Sequence, residues 1–245
     1  MHIPVPGEAE ILSLWERGLA RHPIDRALLL YAWTQPDLPS SNFPDLPLGT
    51  INKALLRLRE ICFGPRIIAG IDCEHCDTRM EIALDTGQLL AGINEDDTSS
   101  KFDNTPAEFE VSNFRFRVPC SRDLAVVSGE RDFKAAAVKL LEQCCVEHPE
   151  NSGTTFANLL VEAEAAMEKL DPAADINLSL SCEECGHSWL VDFNIGTLLW
   201  DEIDARARAV LAEVHSLAQA YGWTEPEILA LSSQRRAAYL DMVDV

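Results

Sequence analysis

Apolar positions along the chain recur mostly with helical spacing. Ile11, Leu12, Trp15 and Leu19 place a short helix within Glu8 to Ala20, and a second runs from Ile24 to Trp33 after the break at Arg21-His22-Pro23. Four prolines between Gln35 and Gly49 remove backbone donors and fix φ, which predicts a loop. A third helix carries Ile51, Leu55, Leu58 and Cys62 on one side and ends at Gly64-Pro65. The period then shortens. Arg66 to Asp72 and Arg79 to Asp85 read as strands, Asn94 to Glu108 as an acidic exposed loop, and Phe114 to Val118 as a half-buried strand that Pro119 stops.

Helices return after Ser121, from about Asp132 to Val146, and from Thr155 to Leu170. His148 to Gly153 and Asp171-Pro172 punctuate them. Ile176 to Ser181 and Ser188 to Phe193 read as two further strands. The clearest helix follows, with Leu199, Ile203, Ala207, Val210, Leu211, Val214, Leu217 and Tyr221 as one stripe and Gly222 placed for a left-handed cap. Thr224-Glu225-Pro226-Glu227 has the form of a capping box opening a short helix to Leu231, and Ser232 can cap a last one ending near Met242.

The fold class predicted is α+β, mainly α-helical. Its parts are a helical N-terminal region (1–65), a strand pair (66–94), an inserted strand and helices (95–174), a second strand pair (175–195) and a C-terminal helical arm (196–245). The arm, Leu198 to Met242, is expected to dock a helical partner or a second copy, or else to close the protein's own core.

Composition adds little to the fold but narrows the partners. The 245 residues, 47% hydrophobic and 24% charged, suit a folded globular chain, and apolar runs such as Ala27 to Trp33 and Ala135 to Val138 are too short to span a bilayer. The first residues have neither a basic start nor an apolar signal core, so a cytoplasmic protein is expected, free or within a larger particle. A net charge of −20 disfavours nucleic acid and anionic membranes as partners and favours a basic protein surface.

The eight cysteines fall into two classes. Cys62, Cys120, Cys144 and Cys145 lie in or beside apolar stretches and read as core thiols. Two C-x-x-C pairs stand apart, in Asp72-Cys73-Glu74-His75-Cys76-Asp77 and in Ser181-Cys182-Glu183-Glu184-Cys185-Gly186-His187. Each sits between strands, where two intervening residues let both thiolates reach one ion. Gly186 accepts the left-handed backbone that such a turn requires, and Asp77 accepts it at some cost.

One structural zinc ion per chain on Cys73, Cys76, Cys182 and Cys185 is therefore expected, in a ribbon split by the 105 residues from 77 to 181. Loop closure grows only logarithmically with the insert, so the split is permitted. Such a zinc would be needed for folding, and Cys182→Ser would destabilise the chain grossly. The alternatives are a redox C-x-x-C, a four-iron cluster, or His75 or His187 in place of a cysteine ligand. No phosphate loop, dinucleotide fingerprint, zinc-protease helix or nucleophile elbow occurs in the sequence, the Asp96-Asp97 stretch lacks calcium-loop spacing, and Cys120 has no histidine nearby in sequence. No enzyme is expected.

Several segments together resemble the T4-type baseplate protein family of tailed phages and phage-tail-like contractile injection systems. They are Phe63-Gly64-Pro65-Arg66 leading to Cys73-Glu74-His75-Cys76, Phe114 to Pro119 with Ser121-Arg122-Asp123-Leu124, and Cys182 to Gly186. The tail from Glu213 through Tyr221-Gly222-Trp223 and Glu227 to Leu231, with Arg235-Arg236-Ala237-Ala238-Tyr239-Leu240, is the most distinctive. The resemblance runs over nearly the full chain. It implies a non-catalytic role at the baseplate hub, as an assembly factor or chaperone whose partners are other baseplate or tail proteins, the tape-measure protein among them. Two alternatives are a permanent structural subunit and a zinc-ribbon regulator acting on transcription machinery.

Overall fold

A computed structural model describes residues 3–93, 106–149 and 153–243. The fold is mixed α+β and mainly helical, with small antiparallel sheets. Its body consists of α1 (Glu8–Gly18), α2 (Pro23–Thr34) and α3 (Leu48–Phe63), with α8 (Ile195–Tyr221), α9 (Glu225–Leu229) and α10 (Ser233–Val243) from the far end of the chain. Leu30, Leu55, Leu56, Leu199, Val210, Leu217 and Ile228 are all fully buried in one cluster. The apolar stripe of α8 is thus buried in the chain's own core. Leu211 and Tyr221 leave that stripe. Both are exposed, and Tyr221 instead stacks on Trp223 with ring centroids 4.7 Å apart. Gly222 ends α8 at φ 72°, and Thr224 and Glu227 form the expected capping box.

Close packing leaves little slack where α1 meets α8. A Cβ added to Gly18 would stand 2.2 Å from the Trp200 ring, so Gly18→Ala is expected to cost about 1–3 kcal/mol, read as a lower urea midpoint. An unchanged midpoint would mean that this contact can relax.

A second unit lies between the two halves of the body. It comprises β3 (Glu108–Val111), β4 (Phe114–Arg117), α5 (Ser121–Val127), α6 (Phe133–Cys144), β5 (Cys145–Glu147) and α7 (Phe156–Leu170). The alternation in β4 sends Phe114 and Phe116 into a separate small core with Val111, Leu141, Leu159 and Ala163. Arg117 turns toward α5, where both its Nη atoms donate to Asp123, at 2.6 and 2.8 Å. Burial would raise the Asp123 carboxyl, but those bonds and the Cys120 amide outweigh it and hold the group below the usual carboxylate range.

Several elements differ from the sequence reading. The proline-rich loop contains a 3-10 helix (Ser40–Asp45) that buries Phe43, a geometry that tolerates Pro44 because it asks for few internal donors. The helix expected to reach Val146 stops at Cys144, because residues 145–147 join β4 as an edge strand. The short strand β3 and the helix α4 (Thr86–Gly92) were not anticipated, although Asp85 caps α4 by accepting from the Gln88 amide. Most of the acidic segment Asn94 to Glu108, including Asp96-Asp97, lies outside the described residues, as does part of His148 to Gly153.

Candidate metal centre

Two hairpins carry the cysteine pairs. The first is β1 (Arg66–Asp72) with β2 (Arg79–Asp85), and the second is β6 (Asn177–Ser181) with β7 (Ser188–Asp192), both antiparallel and in continuous register. The body holds both at their bases. Arg59, 3% exposed at the end of α3, donates Nη1 to the carbonyls of Gly64 and Arg66 at the entry to β1. Its Nε and Nη2 reach the Glu202 carboxylate on α8, at 3.0 and 2.7 Å. The second hairpin is closed by the Phe193 amide donating to Ile176, and Asn194 beside it caps α8 through the Thr197 amide.

At their tips the hairpins repeat one another. The Cys73 amide donates to Thr78 and the Asp77 amide to Cys73; the Cys182 amide donates to His187 and the Gly186 amide to Cys182. Gly186 has φ 70° and Asp77 φ 56°, so both turns use the left-handed residue their sequences anticipated. Neither pair opens a helix, the setting that lowers the pKa of a redox C-x-x-C.

These turns bring Cys73, Cys76, Cys182 and Cys185 together, with all four sulfurs within 4.8 Å of one another. Cys73 Sγ lies 3.7 Å from Cys185 Sγ, and Cys76 Sγ 3.7 Å from Cys182 Sγ. A tetrahedron with metal–sulfur bonds of about 2.3 Å has edges of about 3.8 Å, so the spacing fits four sulfurs around one ion. The first cysteine of each pair is buried and the second is at the surface. The His75 amide donates to Cys73 Sγ at 3.4 Å, the kind of outer contact that steadies a thiolate.

The protons on these sulfurs are strongly interdependent. Thr78, through its hydroxyl and then its amide, draws Cys76 down to about 6. The His187 amide pulls Cys185 down, but burial and hydrogen bonds with Cys76, Cys73 and Cys182 outweigh it and push that thiol up to about 12. Thiols packed this closely resist successive ionisation unless a cation shares the charge. The group can hold a metal ion.

His75 and His187 stand outside this sulfur group. Their rings stack at 5.6 Å, and His187 stacks in turn on Trp189 at 5.6 Å. The remaining cysteines are core or half-buried: Cys120 and Cys144 are buried, and Cys62 and Cys145 are intermediate. Burial pushes Cys144 up to about 12 and raises Cys120, which makes both poor nucleophiles. Sequence reasoning missed two supports of the centre. Thr78, two positions after Cys76, was legible from proximity alone, whereas the Arg59–Glu202 bolt spans 143 positions and left no local signal. No protein-family model matches the chain, and neither the curated proteins nor the solved structures offer a match.

Proposed function

We propose that Cys73, Cys76, Cys182 and Cys185 bind one structural zinc ion and close a split zinc ribbon. We further propose that the protein is a non-enzymatic baseplate hub assembly factor or tape-measure chaperone of a contractile tail or injection system. The observation that carries the metal reading is the meeting of four sulfurs from cysteine pairs separated by 105 residues, with Cys73 3.7 Å from Cys185 and Cys76 3.7 Å from Cys182. Sulfurs in mutual contact leave space for one ion and not for the body of a multi-iron cluster. Four thiolates also leave no position for a reactive water, so the ion's chemistry is to hold charge and geometry. The baseplate reading rests on the resemblance of the two cysteine turns, the Phe114 to Leu124 segment and the C-terminal helices to that family.

Elemental analysis of the purified protein is expected to give one zinc per chain, lost in Cys73→Ser. A folded wild type without metal would overturn the ribbon. In purified tail-like particles an assembly factor is expected to be absent, whereas integer stoichiometry would make the chain a permanent subunit.

A further inference from the structure

Beneath the cysteine turns, strand β2 bonds to β1 alone and β6 to β7 alone, and no third strand joins either hairpin among the described residues. Register decides which backbone groups point outward, because residues of an antiparallel pair alternately exchange both bonds or none. The Thr86 amide donates to Pro65 and the Cys73 amide to Thr78, so the bonded positions of β2 are the even-numbered ones. Arg79, Glu81 and Ala83 therefore turn their N–H and C=O away from β1. On β6 the Cys182 and Phe193 amides, bonded to His187 and Ile176, set the same count and turn Ser179 and Ser181 outward. Neither a proline nor a bulge interrupts β2.

A cavity of about 320 Å3 lies against these edges. Its walls include the successive residues Arg79 to Ile82 of the first hairpin and Leu180 to Cys182 of the second. Side chains of a strand point alternately to its two faces. A cavity that meets successive residues therefore runs along the edge of the strand and not over one face.

The lining selects the occupant. A row of unpaired N–H and C=O groups is matched by another extended backbone, which carries donors and acceptors at the same spacing. Met80, Ile82 and Leu180 are half-buried and offer apolar contact to one set of its side chains. Glu81, Glu183 and Glu184 are exposed in the same lining and make it acidic. Arg79, the one cation in that lining, is already committed: its guanidinium lies over Gly70 of β1 and pairs with Asp72 at 3.3 Å. Charge complementarity thus asks for lysine or arginine between the apolar residues of the segment.

We infer that an extended segment of a partner protein, its apolar residues alternating with lysine or arginine, pairs with the outer edge of β2 as a third strand, with β6 as the opposite wall. The inference goes beyond the metal reading and does not rest on it, since the body also holds both hairpins at their bases.

The test is titration of the full-length protein with a capped hexapeptide of alternating lysine and valine, read by amide hydrogen exchange. Zinc is measured on the same sample, so that the two readings can fail separately. At saturation, exchange of the Arg79, Glu81 and Ala83 amides is expected to slow about tenfold or more, and that of Met80 and Ile82, already bonded to β1, to change less. A glutamate–valine hexapeptide is expected to have no effect. Two further lysine–valine peptides carry N-methyl groups on the lysines alone or on the valines alone. Because the amides of a strand point alternately to its two edges, one of these is expected to bind about tenfold more weakly and the other within about twofold of the parent. Glu81→Lys is expected to weaken binding about tenfold, whereas Glu16→Lys, an equal change of net charge at an exposed position of α1, leaves it within about twofold. The proposal is overturned if the lysine–valine peptide leaves the three amides unprotected, if both N-methyl patterns weaken binding equally, or if the two charge variants do. Protection of the same amides by raised protein concentration alone would overturn it too, and would assign the edge to a second copy of the chain.

Discussion

Cys182→Ser is expected to lower the stability of the chain by about 4 kcal/mol or more and its melting temperature by roughly 10 °C. The floor comes from chain entropy. A link between Cys76 and Cys182 closes a loop of 106 positions, and a crosslink of that span is worth about 4–5 kcal/mol in the unfolded state. Metal–sulfur bonding at the proposed zinc centre would add to this, since structural zinc in small domains supplies apparent energies of about 10–16 kcal/mol. The hairpins have little else to hold them together: across β1, β2, β6 and β7 the one fully buried side chain is Ile67. Thermal unfolding of the variant beside the wild type, with and without a strong chelator, gives the measurement. Chelator should move the wild type toward the variant and leave the variant unmoved. A variant melting with the wild type would show that the body alone fixes the hairpins.

The second large effect is expected at Arg236. This residue is 1% exposed, and its guanidinium donates to Glu213 at 2.7 Å, to Glu8 at 2.9 Å and to the Leu231 carbonyl at 2.8 Å. Arg206 pairs with the same two carboxylates from its position on α8. The network joins α1, α8 and α10 in a partly dry environment, where removing one partner strands the charges of the others. Arg236→Met is expected to cost about 3 kcal/mol and to lower the melting temperature by roughly 6–12 °C, less than a fully buried pair would lose because Arg206 remains. Adding Glu8→Gln to Arg236→Met, which leaves Arg206 and Glu213 as a matched pair, should recover part of that loss. If the double variant were no more stable than Arg236→Met, packing of the arginine stem rather than stranded charge would be the cause.

What the sequence made legible was whatever depends on short-range spacing. The C-x-x-C turns could be read with their left-handed residues, Asp77 and Gly186, because a tight turn is specified within six positions. The helix α8 could be read because its stripe, Leu199 to Tyr221, repeats over about six turns. The edge strand β5 has three residues and β3 has four, too few for a period to register, and β5 follows a helix without any breaker. Buried charge was illegible for a different reason. Arg59 and Arg236 look like surface residues until their distant partners arrive, among them Glu202, 143 positions from Arg59, and Glu8, 228 positions from Arg236. The meeting of the two cysteine pairs was inferred from ligand count, whereas the cavity along the edge of β2 depends on how separate elements abut and left no trace in the pattern.

The division of the body between distant stretches of chain has a consequence for biosynthesis. Helices α1 to α3 emerge from the ribosome first, yet the partner that covers their apolar faces, α8, begins at Ile195, 132 positions after Phe63. At about 5–20 residues per second, those faces wait roughly 7 to 26 s for their cover. The inserted unit, with its own small core, completes within that interval. On the nascent chain the unit central in sequence can therefore close first, and the two halves of the body, which share one core, join last.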